Sequence, residues 1–385
     1  MLALFEFEKK PICFKNPEKI ISCNKLDSVV GCFEEMEKAV SSGYYLAGFL
    51  SYESGFAFEP GLFNNKTYSF PLVYFGVFKT PAGGQPSLRV VEDACLPDRQ
   101  VSSSTTPQYE FRGKGYNLSR TDYFKNINTI RSYIREGETY QITYCIKYKY
   151  DFTGSPFALY KELLKTQPVP YPAYIGTKDF TISSLSPEMF IKKNKDRVIT
   201  KPMKGTWPKG LFSKWLLHFD QKNRAENIMI ADLLRNDLGK IAKSGTVAAP
   251  KLFETACYTT LCQMTSTVCA SIDPEIKFYA LFKAVFPSGS VTGAPKIRSM
   301  EIINEIEKEE RDIYTGAIGY ITPQRDLFFN VPIRTLLTRG GKGEMGIGGG
   351  ITWYSTPEGE YNECLTKTKF LAGKFPHALD ISEHN

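Results

Sequence analysis

Apolar residues along this chain switch between helical and strand-like spacing. From Ser119 onward they fall at Tyr123, Phe124, Ile127, Ile130 and Ile134, one face of a helix. Ser119 with Asp122 three residues on forms a variant capping box, and Gly137 supplies the stop. A second helix is predicted over 223–238. Its stripe is Ile230, Leu233, Leu234 and Leu238, and Glu226 sits one turn before that buried face. Residues 43–52 form an apolar run that predicts a buried strand. Residues 81–116, rich in Pro, Gly, Ser and Thr without a period, predict a surface linker. Strands and helices then alternate irregularly to about residue 375, and no repeat is visible. Three parts result: an N-terminal segment with linker (1–116), a main region (117–375) and a tail (376–385).

Composition narrows the class. Among 385 residues, 42% are hydrophobic and 14% aromatic, enough for a sizeable core. No apolar run reaches the length of a transmembrane helix. Met1 to Glu8 carry acids where a secretory signal needs a basic and then a long apolar segment, so a cytoplasmic protein is expected. The nine cysteines show no Cys-x-x-Cys pair and read as reduced thiols. The three histidines are His218, His377 and His384, and two of them lie in the tail. A zinc site or a histidine-activated nucleophile is therefore not expected. Acid–base chemistry falls to Glu, Lys, Tyr or Asp. A net charge of +7 without a dense basic run fits a solvated surface or a small anionic substrate. Nucleic acid and membrane partners are not expected.

Four segments carry polar groups that a core does not need. Lys204 lies in Lys201-Pro-Met-Lys-Gly-Thr206, where Pro and Gly205 restrict and open the backbone. It reads either as a solvated turn lysine or as a desolvated amine able to attack a substrate. Glu226 belongs to Ala225-Glu-Asn227. Phe286 to Lys296 is a Gly-rich loop entering a helix near Pro295. The last segment is a Gly-rich turn, Gly348-Gly-Gly350, before a helix begun by Ser355, Thr356 and Pro357. On that helix Glu360, Glu363 and Lys367 share one face. They form either a solvated ion-pair stripe or a carboxylate pair for a hard divalent cation such as Mg²⁺, with a lysine for a substrate carboxylate.

Taken in order, these segments resemble the chorismate-utilising enzymes from about residue 119 to 373. The marks are Ser186-Pro-Glu188, the stretch 202–206, Ala225-Glu-Asn227, Asp232 to Leu238, the loop Phe286–Lys296, Tyr314-Thr-Gly-Ala-Ile-Gly-Tyr320, Ile333-Arg-Thr335 and the final Gly-rich turn and helix. The resemblance implies an α+β fold: a two-layer core of large antiparallel β-sheets with flanking helices, the N-terminal segment packed into the same body. Within the family, Lys204 and Ser290 are typical of the para-aminobenzoate branch; anthranilate synthases usually carry Ala in place of this lysine. Gln141 stands where isochorismate and salicylate synthases place a water-activating lysine. Met203 replaces the commoner Ile, and Gln263 stands where many relatives have His.

The resemblance therefore implies conversion of chorismate and ammonia to 4-amino-4-deoxychorismate, for para-aminobenzoate and folate synthesis. Lys204 is the expected nucleophile and Glu188 the acid. Glu226, Glu363 and Glu360 are the expected Mg²⁺ ligands. Gln141, Gly205, Thr206, Ser290, Tyr314, Arg334, Gly348, Gly350 and Lys367 are expected around the substrate. No glutaminase portion is seen, so a glutamine amidotransferase subunit is the expected ammonia donor. Anthranilate synthase component I is the alternative; a non-catalytic subunit that binds a glutaminase is a second, of another class.

Overall fold

Two large antiparallel sheets carry the chain in a computed structural model that describes residues 1–82 and 109–372, except 209, 211 and 258–260. The first sheet runs in the order Gly293–Ala294 (β15), Gln141–Gly154 (β7), Lys342–Ile351 (β19), Thr335–Arg339 (β18), Thr181–Ser186 (β9), Tyr171–Gly176 (β8), Leu2–Phe7 (β1) and Lys10–Lys15 (β2). Tyr109–Tyr116 (β6) also pairs with β7. The second runs Met203–Pro208 (β12), Leu261–Ser271 (β14), Arg197–Lys201 (β11), Met189–Asn194 (β10), Leu327–Asn330 (β17), Ala317–Ile321 (β16), Tyr45–Leu50 (β4), Val73–Phe78 (β5) and Lys19–Cys23 (β3). Ala248–Cys257 (β13) pairs with β14. The described helices are Val29–Ser41 (α1), Arg120–Arg135 (α2), Pro156–Thr166 (α3), Ser213–Phe219 (α4), Gln221–Gly239 (α5), Phe278–Val285 (α6), Lys296–Ile306 (α7) and Pro357–Ala372 (α8). None is long and apolar enough to cross a membrane.

Alternation along β7 shows how the sequence sorts the two faces of a strand. Ile142, Tyr144, Ile146, Tyr148, Tyr150 and Phe152 share one hydrophobic cluster with Tyr123, Ile127 and Ile130 of α2. The intervening Gln141, Thr143 and Lys147 are buried polar groups on the opposite face. Phe5, Phe7 and Phe14 of the first sheet meet Phe49, Phe78 and Phe328 of the second in a separate cluster between the layers. Residues 1–82 contribute strands to both sheets.

Helix ends follow the sequence closely. Ser119 Oγ accepts the Asp122 N–H, capping α2. α5 begins at Gln221 because the Asp220 side chain caps it, two residues before the sequence expectation. Three expectations need correction. Residues 109–116 of the expected linker form β6, five of whose eight residues are at least partly buried, paired with β7; residues 83–108 lie outside the described part. Gly348–Gly350 is no turn but the end of β19, paired with Cys145–Thr143. The thiols are not all reduced either. Cys257 and Cys262 sit opposite one another across β13 and β14 and form a disulfide.

Candidate active site

Glu188 follows β9 and starts the turn into β10, with its backbone fixed from both sides. Its N–H donates to Ser186 Oγ at 3.1 Å, and its carbonyl accepts the Val331 N–H at 3.0 Å. The side chain is 3% exposed. Ser290, from the loop before α7, donates its hydroxyl to Glu188 Oε1 at 2.5 Å. Burial pushes the Glu188 carboxyl up to about 7, against the opposing pull of Ser290, Lys204 and the Met203 N–H. A carboxyl that keeps its proton near neutrality is suited to general-acid work.

Lys204 is partly buried on β12. Burial lowers its pKa, while Glu188 and Glu226 act in the opposite sense. Desolvation thus moves acid and amine towards their uncharged forms. Gly205 adopts φ +97°, and a Cβ there would lie 3.1 Å from Asn223 of α5. Glycine lets β12 turn under α5 at this point. Thr206 follows in β12, in register with Gln263 of β14. Gln263 is 3% exposed, and its Oε1 has no hydrogen-bond partner among the described residues.

The glycines of β19 are explained by what approaches them. A Cβ on Gly350 would lie 2.1 Å from Gln141 Nε2 and 3.3 Å from Lys204 Nζ. One on Gly346 would fall 2.1 Å from the Tyr314 ring, and one on Gly348 3.2 Å from the Tyr314 hydroxyl. The ladder adds a further point. Thr143 N–H bonds Thr292 O and Cys145 N–H bonds Glu307 Oε1, so both point away from β19. Their partners Gly350 and Gly348 are therefore the non-bonded pairs of the ladder, and their N–H groups point away from β7. β18 pairs with β19 no further than Met345, so these two amides face an open edge. That is an anion-binding geometry.

Gln141 is 1% exposed, and its Oε1 likewise lacks a partner among the described residues. Arg334 lies between β17 and β18 with φ 51°, its carbonyl taking the Leu185 N–H at 3.1 Å. Buried Arg311 ties the surroundings together through Val291 O (2.9 Å), Thr143 O (2.5 Å) and the Glu307 carboxylate.

The acids of α5 and α8 meet at the same edge. A Cβ on Gly349 would lie 2.9 Å from Glu360 Oε2, 3.6 Å from Glu363 Oε1 and 3.8 Å from Lys367 Nζ. Lys367 binds Glu363 at 2.6 Å and Gly348 O at 2.6 Å. Burial raises Glu226 and Glu360, and in each case the Glu363 charge adds to the rise. Burial acts upward on Glu363 too, but Lys367, Lys204 and Lys222 outweigh it and the pKa falls. Glu360 and Glu363 lie beside Gly349, Glu226 feels the Glu363 charge, and carboxylates suit a hard divalent cation by donor type. Among the described residues, however, no three acids, histidines or cysteines are gathered tightly enough to hold a metal. The expected substrate lysine, Lys367, is engaged here by Glu363 and Gly348.

The structure thus brings Lys204, Glu188, Ser290, Gln141, Gly350 and the three carboxylates to one end of the gap between the sheets. Sequence reasoning missed Gly346 and Gly349, whose signal was the glycine run itself. Asn227 stood in a quoted motif without a role.

Two layers of this kind, with the site between them, define a class. The anthranilate synthase component I of Streptococcus pneumoniae TIGR4 superposes with a TM-score of 0.74 at 24% identity, covering 96% of this chain and 89% of that one. A menaquinone-specific isochorismate synthase from Escherichia coli gives 0.72 at 16% identity, covering 96% and 87%. Both show the fold. The sequence profile described as chorismate binding enzyme matches residues 4–373, and the chain belongs to that family. The match includes the N-terminal third, beyond the span legible from motifs. Among curated proteins, the aminodeoxychorismate synthase component 1 of Bacillus subtilis (strain 168) is 35% identical over 264 residues, 67% of this chain and 55% of that protein. The chloroplastic aminodeoxychorismate synthase of Arabidopsis thaliana is 35% identical over 293 residues, 74% of this chain and 31% of that protein. The chain thus spans between about a third and about half the length of these relatives.

Proposed function

We propose that this chain is an aminodeoxychorismate synthase component I, converting chorismate and ammonia to 4-amino-4-deoxychorismate and water. The observation that carries the reading is one pair: the Lys204 amine and the Glu188 carboxyl, both moved by burial towards their neutral forms in one cleft. The names of the curated relatives support the same branch.

The neutral Lys204 amine attacks ring carbon 2. The double bond shifts, the carbon 4–oxygen bond breaks, and Glu188 gives its proton to the departing hydroxyl, which leaves as water. Glu188, now a carboxylate, takes the proton from the new lysine ammonium. Ammonia then adds at carbon 4, the double bond shifts back, and the carbon 2–nitrogen bond breaks. As that bond breaks, Glu188 protonates the lysine nitrogen, so Lys204 leaves as a free amine, and the Glu188 carboxylate then takes the spare proton from the new carbon 4 ammonium. One difficult substitution becomes two easier displacements. Ser290 orients Glu188. Buried Gln141 offers an amide and no base, so it does not activate water. The outward N–H groups of Gly348 and Gly350, with Tyr314, Arg334 and Lys367, form the carboxylate-binding side, and Gly205 and Thr206 line the ring. Glu226, Glu363 and Glu360 are the residues that would hold Mg²⁺, and when bound the ion supplies positive charge to the ring carboxylate. The expected ammonia donor is a separate glutamine amidotransferase subunit.

The test is to incubate the purified chain with chorismate, Mg²⁺ and ammonium, and to identify the product by mass and by its conversion with an aminodeoxychorismate lyase. Aminodeoxychorismate supports the reading. Fluorescent anthranilate formed without further enzyme assigns the chain to the other branch, and absence of turnover refutes catalysis.

A further inference from the structure

Lys204 has little local support. Its strand is bulged, with three steps of β12 from Met203 to Thr206 set against two steps of β14. Gly205 removes a side chain just where the nucleophile must be aimed. The stiffness must come from elsewhere, and the structure shows a buried chain of hydrogen bonds that supplies it. Asn227 Nδ2 donates to the Lys204 carbonyl at 3.3 Å. Asn227 Oδ1 accepts the Ser266 hydroxyl. Ser266 Oγ in turn accepts the Phe253 N–H at 3.2 Å, and the Ser266 N–H donates to Pro202 O at 3.3 Å. Asn227 and Ser266 are both 0% exposed.

We infer that Asn227, held by Ser266, is a positioning residue that locks the Lys204 backbone to helix α5. The inference rests on the proposed function only in assigning Lys204 its chemistry. Asn223, Glu226 and Asn227 are three and four residues apart, so one face of α5 meets β12 at Lys204 and Gly205. The side chain before the clamp is Glu226, an expected metal ligand. One rigid turn of helix therefore fixes the distance between the carboxylate and the amine. Both amide groups of Asn227 are used. Removing the donor takes this partner from the part-buried Lys204 carbonyl, which favours a shifted strand. Fixed networks of this sort hold a reacting group only while each member is satisfied.

The test uses Asn227→Leu, close in size and without a donor, together with Ser266→Ala and Ser266→Thr. A nucleophile misplaced by about 1 Å costs on the order of 10²-fold. We expect kcat with ammonia to fall by about that factor in Asn227→Leu, with KM for chorismate little changed. Ser266→Ala should fall less, and Ser266→Thr, which keeps the hydroxyl, should recover. The second readout needs no turnover. In protein whose lysines carry ¹³C-methyl groups, the Lys204 resonance, identified by its loss in Lys204→Arg, should be displaced from the solvent-exposed lysines. It should move towards them in Asn227→Leu and Ser266→Ala but not in Ser266→Thr. A folded Asn227→Leu protein with kcat within twofold of the parent and an unmoved resonance overturns the inference. So does equal behaviour of the two Ser266 variants, which decides the matter if Asn227→Leu does not fold. If the parent makes no aminated product, the proposed reaction fails and the resonance alone judges the clamp.

Discussion

Removing the Ser290 hydroxyl should move the alkaline limb of the pH–rate profile upward. In the proposed mechanism Glu188 must carry a proton, and burial pushes its carboxyl up to about 7. Activity at constant free ammonia should therefore fall as pH rises through about 7. The Ser290 hydroxyl donates to Oε1 at 2.5 Å and favours the carboxylate, so it lowers this pKa. Alanine at 290 withdraws that stabilisation from the charged form only, and the pKa must rise. A hydrogen bond to a charged group is worth about 1.5–3 kcal/mol. One pKa unit corresponds to about 1.4 kcal/mol, so the limb should shift up by about one to two units. Water entering the small space left by the hydroxyl pulls the shift towards the lower end.

The assay is kcat/KM for chorismate between about pH 6 and 9.5, with total ammonium adjusted so that free NH₃ stays constant; general acid–base limbs are read from such profiles. Without that adjustment the rise in free NH₃ masks the limb. The maximal rate should also drop, because Ser290 orients the acid. A folded Ser290→Ala enzyme whose alkaline limb stays put or moves down refutes the assignment of Glu188 as the acid under Ser290 control.

The remaining predictions concern the other groups of the cleft. Lys204→Arg should be inactive, because guanidinium stays protonated and cannot attack. Lys204→Ala should lose the normal route, and chorismate should leave a mass adduct on the Lys204 peptide of the parent but not on that of the variant; aminodeoxychorismate formed by Lys204→Ala at the parent rate would make Lys204 a structural charge. Glu363→Gln should abolish Mg²⁺-dependent turnover without unfolding the chain, and full activity of this variant at low Mg²⁺ counts against Glu363 as a ligand. Glu188→Gln should remove activity yet stabilise the fold at pH 8. The folded pKa of Glu188 lies near 7 against 4.5 for the free group, so the folded state loses stability as pH rises from 4.5 to 7; abolishing that loss gains about 3 kcal/mol at most, read from chemical denaturation at pH 5 and pH 8.

Helix ends were legible because their signals are local, and the segments carrying Lys204 and Glu188 stood out by their motifs. Ser119, Asp122 and Gly137 write the limits of α2 into nearby residues, and the structure follows them. Residues 109–116 illustrate the opposite case. They were read with a Pro-, Gly-, Ser- and Thr-rich stretch that shows no period, and pairing with the long strand β7 makes them a strand. The disulfide is similar: a separation of five residues says little until β13 and β14 set Cys257 opposite Cys262. Asn227 was visible as part of a motif, but its use depends on Ser266, 39 residues later on β14.

The glycines of β19 show most directly why a site can be readable in its residues and unreadable in its shape. Read alone, three successive glycines mean a turn, since nothing in their neighbourhood demands an extended backbone. In the fold each is required by its own visitors: the Tyr144 carbonyl and then the Tyr314 hydroxyl against Gly348, Glu360 against Gly349, Gln141 and then Lys204 against Gly350, as the Tyr314 ring stands against Gly346. These visitors come from three other strands or loops and from α8. The alternation of the strand assigns them to its two faces, so the carboxylates arrive beside Gly349 and the nucleophile beside Gly350. Adjacent residues thus carry the expected metal side and the reacting side, about one strand rise apart, roughly 3.4 Å. A side chain on Gly350 would displace Gln141 and crowd Lys204 with little effect on the metal side, whereas one on Gly349 would disturb Glu360 first. The strand separates the two functions because its geometry alternates, which no turn of three glycines could do.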